Sequence, residues 1–268
     1  MSEVKSRAEA VARWIAGTVA ALAAVTALWF VAQRPPSTGE VLRKVIATDE
    51  NLRPKVCAHR CNNIPMYRFA WKHFECIEID VHVTPKAGGS AGVYHPPDRN
   101  FHGLTLDFLL AREKLPRGTL WLDTKDLSPV NWRGYLEQLR RLIPASRRRD
   151  VIVETVWATP DVGDAAAAFR SSEFQFSYYL PTDLAARCGA LATPECLAFR
   201  NEVLATLESG FSHLSFDAAA FPFVQAIQGG LPPSVKLLTW DLSREWPKRE
   251  LFEAVDIYIV NLPNFYLN

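Results

Sequence analysis

Short apolar runs alternate with amphipathic stretches along most of this chain, and the alternation predicts its fold. Eight runs read as buried strands: KVCAH, CIEIDV, TLWLDT, DVIVET, QFSYYL, HLSFDA, VKLLTW and DIYIVN. Helical stretches lie between most of them, such as PMYRFAWKHF, TLDFLLAREK, NWRGYLEQLRRLI and LAFRNEVLATLES. Strands alternating with helices indicate a parallel sheet with crossover connections. Eight such units in residues 53–268 predict an α/β fold, a (β/α)8 TIM barrel, rather than an open sheet.

One apolar run is much longer than the others. Residues 14–32, WIAGTVAALAAVTALWFVA, carry no charged side chain. As a helix this run would extend about 28 Å, close to the hydrocarbon thickness of a bilayer. We therefore expect a transmembrane anchor at 14–32, after a short tail at 1–13 and before a linker with a short helix at 33–52. The alternative is a cleaved signal peptide, whose apolar region is usually shorter and ends in small residues.

The charged residues indicate how the chain is oriented in a membrane and which partners it binds. Lys5, Arg7 and Arg13 precede the apolar run together with the amino terminus, which favours a cytoplasmic tail and an exported barrel, periplasmic or extracellular. The formal net charge is +1, and no Lys/Arg run resembles a nucleic-acid-binding arm. We expect contact with a membrane through the N-terminal helix and none with nucleic acid.

The five cysteines leave at least one unpaired. Cys57 and Cys76 lie in strand runs, where we expect small core residues. Cys188 and Cys196 flank a loop-like segment and could close a short disulfide loop in an oxidising compartment. The chain has no Cys-x-x-Cys pair, which argues against a zinc knuckle.

Charged side chains occur at the ends of several strand runs. They are His59 and Arg60, Glu78 and Asp80, His95, and Asp123 and Lys125. Residues two apart on a strand point to the same face, and the carboxyl ends of barrel strands share the face where active sites form. We therefore expect these side chains to meet. Further strand-end residues expected to line the same pocket are Glu154, Asp217, Trp240 and Asn261.

Three of these residues predict a metal site. Glu78, Asp80 and Asp123 would repel one another on adjacent strands unless a cation lay between them, and carboxylate oxygens suit Mg²⁺ or Ca²⁺. The alternative interpretation is structural, in which a carboxylate pairs with Arg60 or Lys125 and stabilises the barrel. For Lys125, an ion pair with Asp123 is compatible with either role.

The remaining residues predict proton transfer and binding. His59 and His95 are placed to act as general base and acid, since the pKa of histidine lies near working pH. Arg60 and Lys125 can bind phosphate oxygens. Trp240 either forms a wall for an apolar or polyol group or packs in the core. The histidines to which we assign no role are His73, His82, His102 and His213.

At these residues the chain resembles the phospholipase-C-like phosphodiesterase superfamily of TIM barrels, especially the glycerophosphodiester phosphodiesterases. The matching stretches follow the family's order: AHR at 58–60, IEIDVHVT at 77–84, YHPPD at 94–98, LTLDFLL at 104–110, LDTK at 122–125, LLTWDL at 237–242 and AVDIYIVNLP at 254–263. Cys61 replaces the family's usual glycine. The short loop with Asn62 and Asn63 is more similar to the sphingomyelinase D branch, and His95-Pro96-Pro97 is similar to menorin-like proteins.

The resemblance implies a function and a role for each residue. His59 and His95 match the catalytic histidines, and Arg60 and Lys125 match the phosphate-binding cations. The metal carboxylates match Glu78, Asp80 and Asp123. We expect a metal-dependent phosphodiesterase that cleaves a glycerophosphodiester or a phospholipid head group, by hydrolysis or through a cyclic phosphate. The alternative is a non-catalytic barrel that binds a lipid or polyol phosphate.

Overall fold

Eight parallel strands close into a barrel, as the sequence predicts. The computed structural model describes residues 55–83, 90–95, 103–158, 162–240 and 249–261. The strands are β1 (Val56–His59), β2 (Cys76–His82), β3 (Gly92–Val93), β4 (Leu120–Thr124), β5 (Val151–Thr155), β6 (Gln175–Tyr179), β7 (His213–Asp217), β8 (Lys236–Trp240) and β9 (Ile257–Asn261). β1 pairs in parallel with both β2 and β9, which closes the ring. The short β3 lies outside the ring, antiparallel to the end of β2.

Helices follow most of the barrel strands. They are α1 (Ile64–His73), α2 (Leu106–Arg112), α3 (Trp132–Leu142), α4 (Gly163–Ser171), α5 (Thr182–Arg187), α6 (Pro194–Glu208), α7 (Phe221–Ile227) and α8 (Arg249–Ala254). Short polar side chains cap several of them; Asn63 and Thr105 accept hydrogen bonds from the backbone at the starts of α1 and α2. The four helical stretches named from the sequence match α1, α2, α3 and α6.

Two apolar layers hold the barrel together. The larger layer packs the outward faces of the strands against the helices. The smaller layer fills the barrel interior and contains Cys57, Cys76, Trp121, Ile152, Leu238, Ile257 and Ile259. Because side chains alternate along a strand, the residues two positions further on point into the same interior, nearer its carboxyl end. That alternation directs the predicted charged residues into one space.

The cysteine pairing corrects one expectation and confirms another. Cys57 and Cys76 are buried as expected, but they form a disulfide instead of remaining small unpaired core residues. The two residues are register partners on neighbouring parallel strands, with Cα atoms 4.4 Å apart, within the range that a disulfide spans. Cys188 and Cys196 form the predicted short loop, and Cys61 is a buried free thiol.

The predicted anchor at 14–32, the tail at 1–13 and the linker with its short helix at 33–52 lie outside the described residues. Among the residues that the model describes, no helix combines the length and the apolar character needed to cross a bilayer.

Candidate active site

Backbone register aligns the predicted carboxylates across three neighbouring strands. Asp80 of β2 pairs with Asp123 of β4, which in turn pairs with Glu154 of β5. Glu78 lies two residues before Asp80 on the same face, one layer deeper in the barrel. Ligand oxygens of Glu78, Asp80 and Asp123 all lie within 4.8 Å of one another. The three carboxylates therefore converge at the carboxyl end of the barrel, as the sequence predicts.

The loop after β1 fixes two of these carboxylates. The Arg60 backbone N–H donates to Glu78 Oε2 at 2.5 Å, and Arg60 adopts a left-handed backbone conformation with φ of 53°. Asn62 makes two hydrogen bonds to Asp80: its Nδ2 donates to Oδ2 at 2.6 Å, and its Oδ1 accepts from the Asp80 N–H at 2.9 Å. This loop thus sets the rotamers of two predicted metal ligands through contacts that the sequence did not reveal.

Lys125 lies between the carboxylate groups of Asp80 and Asp123. Its Nζ is 2.9 Å from Asp80 Oδ1 and also forms an ion pair with Asp123. The ion pair anticipated as the structural alternative is therefore present. The ion pair does not exclude a binding role for Lys125, because its side chain also lines the central cavity.

Burial and mutual repulsion perturb the acid groups. Burial, followed by the charges of Asp80 and Asp123, raises the pKa of Glu78 well above its usual range. Burial also raises the pKa of Asp123, against the opposing effect of Lys125. For Asp80, burial acts in the same direction, but Lys125 and the Asn62 amide outweigh it and lower the pKa. One ammonium group thus compensates only part of the carboxylate charge.

The donor set fits a hard divalent cation. Glu78 is fully buried, and its Oε1 has no hydrogen-bond partner among the described residues. A buried carboxylate oxygen without a partner is costly, and a metal ion would remove that cost. All three side chains offer oxygen ligands, the type that Mg²⁺ and Ca²⁺ prefer. Glu78, Asp80 and Asp123 are therefore the residues that would hold the ion.

The two predicted histidines lie at the same cavity as the carboxylates. His59 is the last residue of β1 and is 8% exposed, with Nε2 3.8 Å from Glu78 Oε2. His95 follows β3, lines the cavity, and its charged form lowers the pKa of Asp80. Two separate segments therefore carry imidazoles toward one carboxylate cluster.

The cavity has a volume of about 470 Å³. Its lining comprises His59, Arg60, Glu78, His95, Trp121, Asp123, Thr124, Lys125, Glu154, Val156, Tyr179, Thr182, Asp217, Trp240 and Ile259. Trp240 lines the cavity and also stacks on Tyr179, with ring centroids 4.9 Å apart. Glu154 and Asp217 line it as expected, while Asn261 ends β9 and its side chain lies outside the described part of the chain.

Sequence reasoning missed Tyr179 and Thr182. Tyr179 is the last residue of β6, so its position at a strand end was the available signal. Thr182 begins α5, and its hydroxyl lies 3.3 Å from the Tyr179 hydroxyl.

The other histidines have structural surroundings where they are described. His213 is buried, and its Nδ1 lies 2.8 Å from Ser212 Oγ. Burial, followed by the charge of Lys236, lowers its pKa to about 3.

His82 binds Asp126 through Nδ1 at 2.7 Å and stacks on Tyr94. His73 contacts Phe69, and His102 lies outside the described residues.

Among solved structures, the chain is similar to the glycerophosphodiester phosphodiesterase from Agrobacterium tumefaciens str. C58. The identity is 15% and the TM-score 0.47, over 78% of this chain and 96% of that one. It is also similar to tryptophan synthase from M. tuberculosis in its aminoacrylate- and BRD0059-bound form, with 13% identity and a TM-score of 0.45, over 85% of this chain and 89% of that one. No protein-family model and no curated protein matches the chain. The two similar proteins differ in their reactions and both TM-scores lie below 0.5, so neither likeness decides the activity of this chain.

Proposed function

We propose that this protein is a divalent-metal-dependent phosphodiesterase acting on a glycerophosphodiester or a phospholipid head group. The observation that carries the proposal is the meeting of three carboxylates and two histidines at one cavity. The carboxylates alone would suit a structural metal. Imidazoles and cations beside an open cavity add what a phosphodiester needs, namely proton transfer and binding of an anion.

The cationic side chains would position the phosphodiester. Arg60 and Lys125 both line the cavity on its carboxylate-rich side. The guanidinium offers a fork of donors to two phosphate oxygens, whereas the ammonium group acts as a point charge. The Arg60 Nε atom is buried without a hydrogen-bond partner among the described residues, which leaves that donor available to a phosphate oxygen.

The two histidines would move the protons. A bound divalent cation would draw charge from the phosphoryl oxygens. One imidazole accepts the proton of the attacking hydroxyl, and the other donates a proton to the oxygen of the leaving alcohol. His59 would act beside the carboxylate cluster, since its Nε2 lies 3.8 Å from Glu78 Oε2. The attacking hydroxyl belongs either to water or to the substrate itself, and the second case gives a cyclic phosphate.

We further propose that the barrel works on the exported side of a membrane. The two disulfides support this placement, since such bonds persist in oxidising compartments and are rare in the cytosol. Recovery of the full chain with all four bonded cysteines reduced, after rapid acid trapping from cells, would contradict the placement.

Turnover of bis-p-nitrophenyl phosphate tests the activity. We expect turnover with Mg²⁺, Ca²⁺ or Mn²⁺, loss of turnover with EDTA, and recovery when the ion is restored. Asp80→Asn should remove the metal-dependent rate while unfolding stays cooperative, whereas Asp164→Asn, an exposed site on α4, serves as the matched control. Phosphorus NMR of the products separates hydrolysis from cyclisation. Metal binding by calorimetry without turnover of any diester would instead indicate a non-catalytic binding barrel.

A further inference from the structure

His82, the last residue of β2, links two segments that carry side chains to the cavity. Its Nδ1 lies 2.7 Å from Asp126 Oδ2, and its ring stacks on Tyr94 with centroids 4.0 Å apart and planes inclined by 11°. Asp126 directly follows Lys125 in the chain. Tyr94 directly precedes His95. One imidazole outside the cavity lining therefore contacts the chain neighbours of two residues that line it.

The Asp126 side of this link is held by the surrounding backbone. The Lys125 N–H donates to the Val81 carbonyl oxygen at 2.9 Å, which continues the pairing of β4 with β2. The Asp126 carbonyl oxygen accepts from Asn131 Nδ2 at 2.8 Å. Because a carboxylate only accepts hydrogen bonds, Nδ1 of His82 is the donor in their contact. The Asp126 carboxylate thus fixes the plane of the imidazole from a loop that is itself anchored.

The Tyr94 side of the link lies beyond the backbone pairing. β3 comprises only Gly92–Val93, and its pairing with β2 ends there. Tyr94 and His95 follow the last paired residue, and both are partly exposed. The nearly parallel stack places the His82 ring over the face of Tyr94 and restricts the orientation of that side chain. The placement of His95 therefore depends on side-chain contacts as well as on strand pairing.

An imidazole is not the most favourable ring for packing alone at this position. The Nε2 atom of His82 is buried without a hydrogen-bond partner among the described residues. A buried polar atom without a partner costs stability, and a phenyl ring in the same place would avoid that cost. A phenyl ring would, however, have no donor for Asp126. What the imidazole adds is the hydrogen bond that sets the plane of the ring.

We propose that His82 is a positioning residue for His95. Asp126 fixes the plane of the His82 ring, and that ring orients Tyr94 and the backbone that leads into His95. The inference rests on the proposed phosphodiesterase function, which gives His95 a proton to transfer. His82 does not line the cavity, so its effect on the reaction has to pass through the residue that it positions.

Replacement of His82 should change kcat, and only while His95 is present. We expect His82→Ala to lower kcat for bis-p-nitrophenyl phosphate by ~10-fold, since a misplaced imidazole is less often in a reactive geometry. KM and metal affinity should change little, and the substitution should have no further effect in the His95→Ala background. His82→Phe keeps a ring against Tyr94 and should recover part of the loss. His73→Ala is the matched control, because this exposed histidine also contacts a phenyl ring, and it should keep the wild-type rate.

NMR of the imidazole rings at a single pH provides a readout that needs no turnover. The His95 signals, assigned with His95→Ala, should shift or broaden in His82→Ala. The signals of His213, which begins β7 at the other end of the barrel, should not change. If His82→Ala does not fold, Asp126→Ala removes the hydrogen-bond acceptor at an exposed side chain and should lower kcat and move the His95 signals in the same direction.

Three outcomes overturn the inference. They are unchanged His95 signals in His82→Ala, a wild-type kcat in that variant, and an equal further loss of kcat when the substitution is made in the His95→Ala background. Any of these in a protein whose wild type cleaves the diester defeats only the role of His82. Absence of turnover of any diester by the wild type defeats the proposed function instead, and the NMR comparison then decides separately whether His82 positions His95.

Discussion

The two ends of the barrel interior differ in polarity: the carboxyl end is charged and the amino end is apolar. At the carboxyl end, three carboxylates and a lysine crowd together beside the cavity. At the amino end, a disulfide joins β1 to β2, and Trp121, Ile152 and Leu238 fill the space around it. Buried like charges cost stability, while apolar filling and a cross-link provide it. We infer that the amino end secures the barrel and thereby permits an unfavourable arrangement at the mouth.

The sharpest test of this contrast is Glu78→Gln. Removing a predicted metal ligand should lower metal-dependent turnover by about 10³-fold. Rates fall by a similar factor in other enzymes when a group that stabilises charge in the transition state is removed. Because burial and two neighbouring carboxylates disfavour the Glu78 charge, the metal-free variant should be at least as stable as the wild type. Urea unfolding in EDTA measures the second effect. A clear loss of metal-free stability would show that Glu78 supports the fold.

The opposite experiment removes the cross-link at the other end. The double substitution Cys57→Ala and Cys76→Ala should lower the free energy of unfolding by about 3 kcal/mol, typical for a loop of this size. At a temperature where the variant is folded, kcat should stay near the wild-type value. The matched control is Cys188→Ala with Cys196→Ala, whose shorter loop should cost less. Equal losses from the two pairs would argue against a special role for the barrel interior.

Replacing the histidines at the mouth should produce the next largest effect. His59→Ala and His95→Ala should each lower kcat by at least ~10²-fold, the usual contribution of general acid–base catalysis. The double variant should cost much less than the product of the two losses, because both rings act on one transition state. The bell-shaped pH–rate profile should lose one limb in each single variant. Near-wild-type turnover in His95→Ala would leave His59 as the sole imidazole in the reaction.

A smaller effect is expected from the residue that orients Asp80. Asn62→Ala removes both hydrogen bonds to Asp80 and should weaken metal affinity by ~10-fold. This is the lower end of the loss of affinity that follows when a residue hydrogen-bonded to a metal ligand is replaced. Calorimetric titration with the activating ion measures the change. The neighbouring substitution Asn63→Ala removes only the cap of α1 and should leave metal affinity unchanged. An unaltered affinity in the Asn62 variant would mean that Lys125 alone sets the Asp80 rotamer.

The smallest effect belongs to the amino end and depends on pH. His213 begins β7, and its folded-state pKa is about 3, below the unfolded value of about 6.5. The unfolded chain therefore binds the extra proton, and stability should fall as the pH drops below the unfolded pKa. Between about pH 7 and about pH 5.5 the loss is about 1 kcal/mol. Urea unfolding of His213→Gln should show a flatter dependence over this range, unlike the exposed-site control His73→Gln.

The apolar runs of the sequence predicted the barrel strands and the convergence of the charged residues at their ends. Buried parallel strands read as apolar runs, and their carboxyl ends share one face, so the sequence alone places Glu78, Asp80 and Asp123 together. The helices not named individually from the sequence are six to nine residues long, too short for a clear helical period.

Contacts that depend on register or on loop conformation could not be predicted in the same way. The Cys57–Cys76 bond requires the two residues to be partners across β1 and β2, which neither run specifies alone. The left-handed turn at Arg60 and the Asn62 contacts arise from a loop without a repeating pattern. Side-chain roles in catalysis remain predictions, because position at a cavity is compatible with binding as well as with chemistry.

Closure of the ring between β1 and β9 makes the site depend on two segments that lie far apart in the chain. His59 is the register partner of Asn261, and Cys57 is the partner of Ile259. A chain interrupted before β9 lacks one of the two strand partners of β1, the strand that carries His59. We therefore expect products truncated before β9 to lack an assembled site.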